Sequence, residues 1–317
     1  MRQGACRLAS AWLDAAAQAV PRLDDPDDAE ALHDFRVALR RLRSTLRAYR
    51  PWTGDAVPAK LRQRLRRLAR ETNAARDAEV QLEWLNGSGF RLAPRERAGF
   101  EWFRAHLAAR RDEAYARIRA DAVASFDDIE RKLRARIAAC EADAAGGSEH
   151  FGHVAGRLIG EHSETLAQAL ARIGSLEDEK AIHAARIAGK RLRYLIEPVA
   201  PLTPAGPALV KAMKAFQDRF GALCDLFVAA RELSEAVEVL GRARPRPDRR
   251  RASLSGKRAD PMPGLMALTE RVRRRTHRLY AEVCRRYLGK RVATLLKPIE
   301  RLGERLAERP RVTTIES

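Results

Sequence analysis

Residues 31–50 read ALHDFRVALRRLRSTLRAYR. On a helix turning about 100° per residue, His33, Arg36, Arg40, Arg43 and Arg47 fall within roughly 80° of one another, and Phe35, Leu39, Leu42 and Leu46 fall opposite. One helix thus buries a Leu and Phe stripe and displays a single row of cations. Surface helices usually intersperse opposite charges at i,i+4, because like charges there repel. Arg36, Arg40 and Arg43 have no acidic residue between them, so their repulsion calls for an anion in the functional state, with screening by solvent and salt as the bland alternative. The helix begins in acidic sequence, where Asp27 or Asp28 is placed to cap it.

Residues 181–199, AIHAARIAGKRLRYLIEPV, repeat the pattern. His183, Arg186, Lys190 and Arg193 follow His33, Arg36, Arg40 and Arg43 at an offset of 150 residues each, again with Leu192 and Ile196 opposite the cations. A repeat at half the chain length indicates internal duplication. A second echo lies downstream. LRQRLRRLARETNAARDAEV (61–80) and LVKAMKAFQDRFGALCDLFV (209–228) each follow their basic helix and carry an Asp, at Asp77 and Asp225. The first offers Arg66, Arg67, Arg70 and Arg76, and the second offers Lys211 and Lys214.

Outward from these segments, Ala and Leu alternate with Arg and Glu, and β-branched alternation is rare, so the chain reads as all-α. Helices are predicted at about 8–19, 27–50, 57–85, 94–121, 125–142, 149–172, 178–197, 206–240 and 264–308, the last bent near Gly289 or Pro298. Short connections make successive helices antiparallel neighbours. A single domain over 8–308 is expected, made of halves of about 8–145 and 148–308. These would be two antiparallel helical bundles about a pseudo-twofold axis, enclosing a central basic groove. Residues 241–263, rich in Pro and Arg, are expected to be a mobile basic loop within the second half.

The chain has 317 residues, 61 Lys and Arg against 42 Asp and Glu, and a formal net charge of +19. Such a surplus attracts polyanions: nucleic acid, anionic membrane or inorganic polyphosphate. Cys6, Cys140, Cys224 and Cys284 form no Cys-x-x-Cys pair or zinc spacing, which fits a reducing, cytoplasmic compartment. No run of eighteen apolar residues is present, so no membrane span is expected.

Catalytic signatures are sparse. No Walker loop or H-E-x-x-H occurs, and no cofactor is indicated. His150 and His153, near Glu149 and Glu161, make a weak metal motif at an ordinary polar helix start. Gly156 and Gly160 form a G-x-x-x-G that reads as close helix packing. Phosphoryl transfer needs metal-binding carboxylates or a base beside the phosphates, and the cation-row helices offer only Asp34 and Glu197, of which Glu197 occupies the Arg47-equivalent position. A non-enzymatic binder is therefore expected. The alternative partner is nucleic acid, held nonspecifically through its backbone. Single-strand binders tend to add aromatic stacking platforms, but aromatics are 6% of this chain and only Tyr194 comes close to a cation row.

The stretches HDFRVALRRLR from His33, RDAEV from Arg76, IHAARIAGKRLRY from Ile182 and KAFQDRFG from Lys214 resemble the CHAD family, the conserved histidine α-helical domain, over about residues 8–308. The resemblance implies two similar four-helix bundles around a basic cavity, inorganic polyphosphate as ligand, and association with polyphosphate granules and their proteins. Carried over by position, it implies binding by His33, Arg36, Arg40, Arg43, His183, Arg186, Lys190 and Arg193, supported by Arg76, Lys211 and Lys214. Cys224 departs from the Asn or Arg often found in the family before this Asp. The first motif begins at residue 33, so the triphosphatase domain to which some members are fused is not expected here, and hydrolysis is not implied.

Overall fold

The computed structural model describes residues 1–25, 28, 30–53, 56–87, 91–118, 123–142, 150–243 and 259–308. Among the described residues there are twelve α-helices and no β-strand. They are α1 (Arg2–Ala19), α2 (Ala31–Ala48), α3 (Arg50–Thr53), α4 (Ala59–Glu71), α5 (Asn73–Gly87), α6 (Arg97–Arg117), α7 (Val123–Ala142), α8 (Phe151–Ala171), α9 (Glu179–Ile196), α10 (Gly206–Ala243), α11 (Met262–Tyr287) and α12 (Arg291–Glu308). No helix among the described residues is long and apolar enough to cross a membrane.

The chain forms two compact units. The first comprises Met1–Asn73, Ala116–Phe220 and Cys284–Ser317; the second comprises Ala74–Tyr115 and Gly221–Val283. Each unit therefore draws residues from both halves of the duplicated sequence.

In the first unit α1 packs on α2 and α7, α8 packs on α9 and α12, and α2 meets α9. The apolar stripes do this work. Leu32, Phe35, Leu39, Leu42 and Leu46 of α2 are buried, as are Ile182, Leu192, Leu195 and Ile196 of α9. Burying each such side chain contributes roughly 1.5–3 kcal/mol, against a few tenths of a kcal/mol for a like-charge pair at helical spacing, so the stripe dominates the fold while the row remains electrostatically loaded. Phe35 meets Phe126 of α7 edge-on, with ring centroids 5.3 Å apart. Gly189 lets α9 approach α10 closely, since a Cβ there would stand 2.3 Å from Cε1 of Phe216. α8 and α12 touch backbone to backbone, for a Cβ on Gly156 would lie 2.5 Å from the carbonyl oxygen of Gly303. Cys6 and Cys140, both buried free thiols, join α1 to α7 with their Sγ atoms 3.0 Å apart and Cys6 donating. Burial foremost, then the hydrogen bond and charge of Cys140, pushes the Cys6 thiol up to about 12.

The second unit has its own core, in which Leu82, Leu85, Phe103, Leu107, Leu226, Leu233, Leu265, Leu268 and Val272 are buried. Gln81 donates from Nε2 to the carbonyl of Asp225 at 3.0 Å, and Arg110 pairs with Glu232.

Helix starts follow the acidic signals. Asp28 accepts from the backbone N–H of Glu30 at 3.1 Å and of Ala31 at 3.0 Å; Asp27 lies outside the described residues. Before α9, Asp178 accepts from the N–H of Gly174 and Ser175 at 2.9 and 2.8 Å. Two expected helices are each divided. The predicted 57–85 helix breaks at Thr72, which is buried and donates its hydroxyl back to the carbonyl of Ala69 at 3.1 Å. The predicted 264–308 helix breaks at Gly289, whose φ of 58° suits a residue without a Cβ, while Pro298 stays inside α12. Of the predicted loop 241–263, residues 244–258 lie outside the described residues, and its two ends are helical, in α10 and α11.

Candidate basic site

The stripes of α2 and α9 are turned into the core of the first unit. The two rows meet at Lys190. Its ammonium is pushed down from 10.5 to about 6, by burial first and then by the charges of Arg186, Arg40, Arg36 and Arg193. Two of those four arginines come from the first copy of the motif and two from the second. Arg40 is itself lowered, by burial above all, with Arg41 and Arg193 acting in the same direction.

Several contacts hold this crowd in place. Arg36 donates from Nη1 to Thr72 Oγ1 at 2.7 Å and to Asn73 Oδ1 at 3.1 Å, so the break between α4 and α5 anchors the first arginine of the row. Arg40 donates from Nε to the Tyr194 hydroxyl at 2.6 Å. The Tyr194 ring then lies 4.8 Å from the guanidinium carbon of Arg41 and 5.0 Å from that of Arg193. An aromatic face among guanidiniums offsets part of their repulsion. Glu197 accepts from both Arg41 and Arg193. One end of the combined row is thereby neutralised, while Lys190 keeps only cations around it among the groups that set its charge.

A second basic hollow continues along α2. Arg43 is lowered by burial and then by Arg47, Arg66 and Arg70. Arg43, Arg47, Arg50, Arg62 and Arg66 line a depression of about 360 Å³ between α2 and α4. An anion there would find several forked donors without the protein having to gather them.

The remaining predicted residues are placed as follows. His33 is half-buried and His183 exposed, each one turn before the first arginine of its row. Lys211 and Lys214 are exposed on α10, in the first unit. Arg76 belongs to the second unit and donates to Glu79 at 3.1 Å and Glu83 at 3.2 Å, so two carboxylates of its own helix already engage it. Cys224 is buried. No group of three or more His, Cys, Asp or Glu among the described residues is placed to hold a metal ion.

Sequence reasoning marked Tyr194 beside the row and Glu197 at the Arg47-equivalent position, but not that Tyr194 holds the arginines in place. Tyr194 lies about 20° from His183 on the wheel, so it occupies the row itself, yet its counterpart in the first copy is Ser44. A search for repeated residues discounts a group that only one copy supplies.

Comparison with known proteins follows the same lines. A family model described as the CHAD domain matches residues 7–234. A solved structure, the crystal structure of the CHAD domain from the plant Ricinus communis, is similar to this chain at 22% identity. It covers 93% of this chain and 91% of its own, with a TM-score of 0.66. No curated protein matches.

Proposed function

Given that the chain belongs to the CHAD family, we propose that it binds inorganic polyphosphate without hydrolysing it. In this reading the two rows, His33, Arg36, Arg40, Arg43 and Arg47 with His183, Arg186, Lys190 and Arg193, line one central groove. The duplicated halves would be related by a pseudo-twofold axis. Arg66 and Arg70 extend the groove beside Arg43, Lys211 and Lys214 are its outer members, and Arg76 is a further polyphosphate-binding residue. The protein would act at polyphosphate granules in the cytoplasm, together with granule proteins.

The observation that carries the reading is the cluster at Lys190. Four arginines from two separate helices hold down the charge of one buried amine. Folding gains nothing from such an arrangement, whereas a chain of phosphates would relieve every repulsion in it. Polyphosphate presents a charge at every unit and no base, and the aromatic ring in the cluster, Tyr194, is occupied by arginines. A ring so engaged is no stacking platform for a nucleobase.

The test compares two quartets of equal charge. Replacing Arg36, Arg40, Arg186 and Arg193 by Gln removes four charges from the rows. Replacing Arg246, Arg249, Arg250 and Arg251, which lie outside the described residues, removes four from the sequence before α11. Affinity for long-chain polyphosphate is measured at low salt and at about 0.15 M, where the screening length is about 8 Å. Helical content is checked for each variant. The row quartet is expected to lose most of its affinity at the higher salt and the other quartet to lose little. Equal weakening at both salts would leave only diffuse attraction, and preferential binding of matched nucleic acid would then be the outcome to expect.

A further inference from the structure

A separate cavity of about 300 Å³ lies where α1, α2, α8 and α9 come together. Its lining is organised by the duplication. Trp12 and His162, Arg41 and Arg191, and Ser44 and Tyr194 are all lining residues, and each pair is 150 residues apart. On α2 and α9, Arg41 and Arg191 sit roughly 100° round from the cation rows, while Ser44, Tyr194 and Arg47 belong to the row side, so the chamber borders the rows and extends to one side of them.

The two copies have furnished it unequally. On one side Arg41 lies between Trp12 and Tyr194, with its guanidinium carbon 4.5 and 4.8 Å from their ring centroids, and pairs through Nη1 with Glu197, while its Nε is buried without a hydrogen-bond partner. On the other side Arg191 Nε and His162 Nδ1 are buried with no hydrogen-bond partner. The Tyr49 hydroxyl is likewise unpartnered, on a side chain only 2% exposed. Burial lifts the Tyr49 phenol above its usual range, so the group is an intact hydroxyl. Burial first, then Arg191, lowers the His162 imidazole, with Arg47 adding to the effect and Glu161 opposing it, so this ring is neutral near pH 7. Arg191 is lowered by burial and by Arg47. The chamber's own carboxylate, Glu197, is engaged by Arg41 and Arg193. The guanidiniums of Arg47 and Arg191 thus feel each other's charge in a chamber with four unmet polar atoms, and Leu8, Trp12 and Leu195 supply apolar lining.

Buried donors left unmet are costly, and they cluster where a ligand can use them. We propose that this chamber is a second binding site, taking a small planar molecule with an apolar body and one anionic head, a carboxylate or a phosphate monoester. The head accepts from Arg191, Tyr49 and Arg47 at the polar end, and the body lies against Trp12 and Leu8. Polyphosphate does not suit the site, because its charges would be desolvated against apolar walls with no partners. A neutral apolar molecule would leave the two guanidiniums and the hydroxyl as they are.

Phenyl phosphate and 3-phenylpropionate, as the two head groups, are titrated calorimetrically into the full chain. Benzyl alcohol serves as the headless control and inorganic phosphate as the bodiless one. At least one anionic probe is expected to bind with one site and an affinity of about millimolar or tighter, as suits a ligand of this size. Trp12 fluorescence should respond, and the response should vanish in Trp12→Phe. Arg191→Met and the chamber-filling Ala48→Leu should each weaken the probe about tenfold or more, and Ala48→Leu should leave polyphosphate affinity unchanged. If Arg191→Met does not fold, Tyr49→Phe gives the same test: it should raise the melting temperature by removing an unmet hydroxyl while weakening the probe. No saturable binding of either anionic probe to the wild type would overturn the proposal. So would equal binding by the controls or by Ala48→Leu, or a parallel loss of polyphosphate binding in Ala48→Leu.

Discussion

Lys190 carries the sharpest consequence at the scale of single residues. Unfolded, its amine titrates near 10.5; folded, it titrates near 6. Between those values the unfolded chain binds more protons than the folded one, so this residue's contribution to stability rises with pH. At pH 7 the amine must give up its proton to fold, at about 1.4 kcal/mol for each unit below 10.5. Lys190→Met is therefore expected to stabilise the chain by about 2–4 kcal/mol at pH 7, a gain that fades towards pH 10.5 and is read from urea unfolding at several pH values. The same variant should bind polyphosphate more weakly. A bound polyanion would restore the charge, so binding to the wild type should take up close to one proton at pH 7–8. Calorimetry in buffers of differing ionisation enthalpy measures that uptake, and it should disappear in Lys190→Met. The position of Lys190 in a cation row could be read from the wheel, since spacing alone sets it. Its lowered charge could not be, because burial against Arg36 and Arg40 depends on how α9 lies on α2. For the same reason Arg191, identical in type to its neighbours in sequence, gave no sign that it borders a different cavity.

Among the helices, existence and face were legible, and joints were less so. The stripe of α2, from Leu32 to Leu46, repeats often enough that no other structure would bury it. The break at Thr72 was not legible, because threonine is tolerated within helices and its back-bond to Ala69 competes with the helix only in context. That joint also serves the site, since it places Thr72 and Asn73 where Arg36 can donate to them. The G-x-x-x-G of α8 shows a finer limit. A Cβ on Gly156 would meet backbone atoms of α12, whereas one on Gly160 would meet nothing within 4 Å. Gly156→Ala should therefore cost about 1–3 kcal/mol, as overpacking against unyielding backbone does. Gly160→Ala should stabilise by roughly 0.5–1 kcal/mol, the helix preference of Ala over Gly. Urea denaturation of both variants reads the difference directly, and equal effects would mean that α8 and α12 do not touch at Gly156.

For the molecule as a whole, the duplication read from sequence and the compact units read from contacts are different divisions of one chain. The repeat of 150 residues pairs α2 with α9, and both helices fall in the same unit. The second unit is built from two segments separated by more than a hundred residues, and α10 runs from one unit into the other. A repeat records matching residues, and packing need not respect its boundary. A cut near residue 145 consequently leaves each product with incomplete pieces of both units. The isolated segments 1–145 and 148–308 are each expected to melt without a cooperative transition when followed by circular dichroism, and a sharp transition in either would show that a half suffices. The contact of Gly156 with Gly303 extends this to the timetable of synthesis. At about 5–20 residues per second a ribosome needs roughly 15–60 s to deliver this chain. The partner of α8 emerges more than a hundred residues after it. Until then Ile159 lacks the neighbour it has at Gly303 and α8 lacks the helix it packs on. At the same rates roughly 6–24 s pass between the end of α8 and the start of α12, and for that interval the face of α8 that receives α12 stands open to water, whatever the stability of the finished fold.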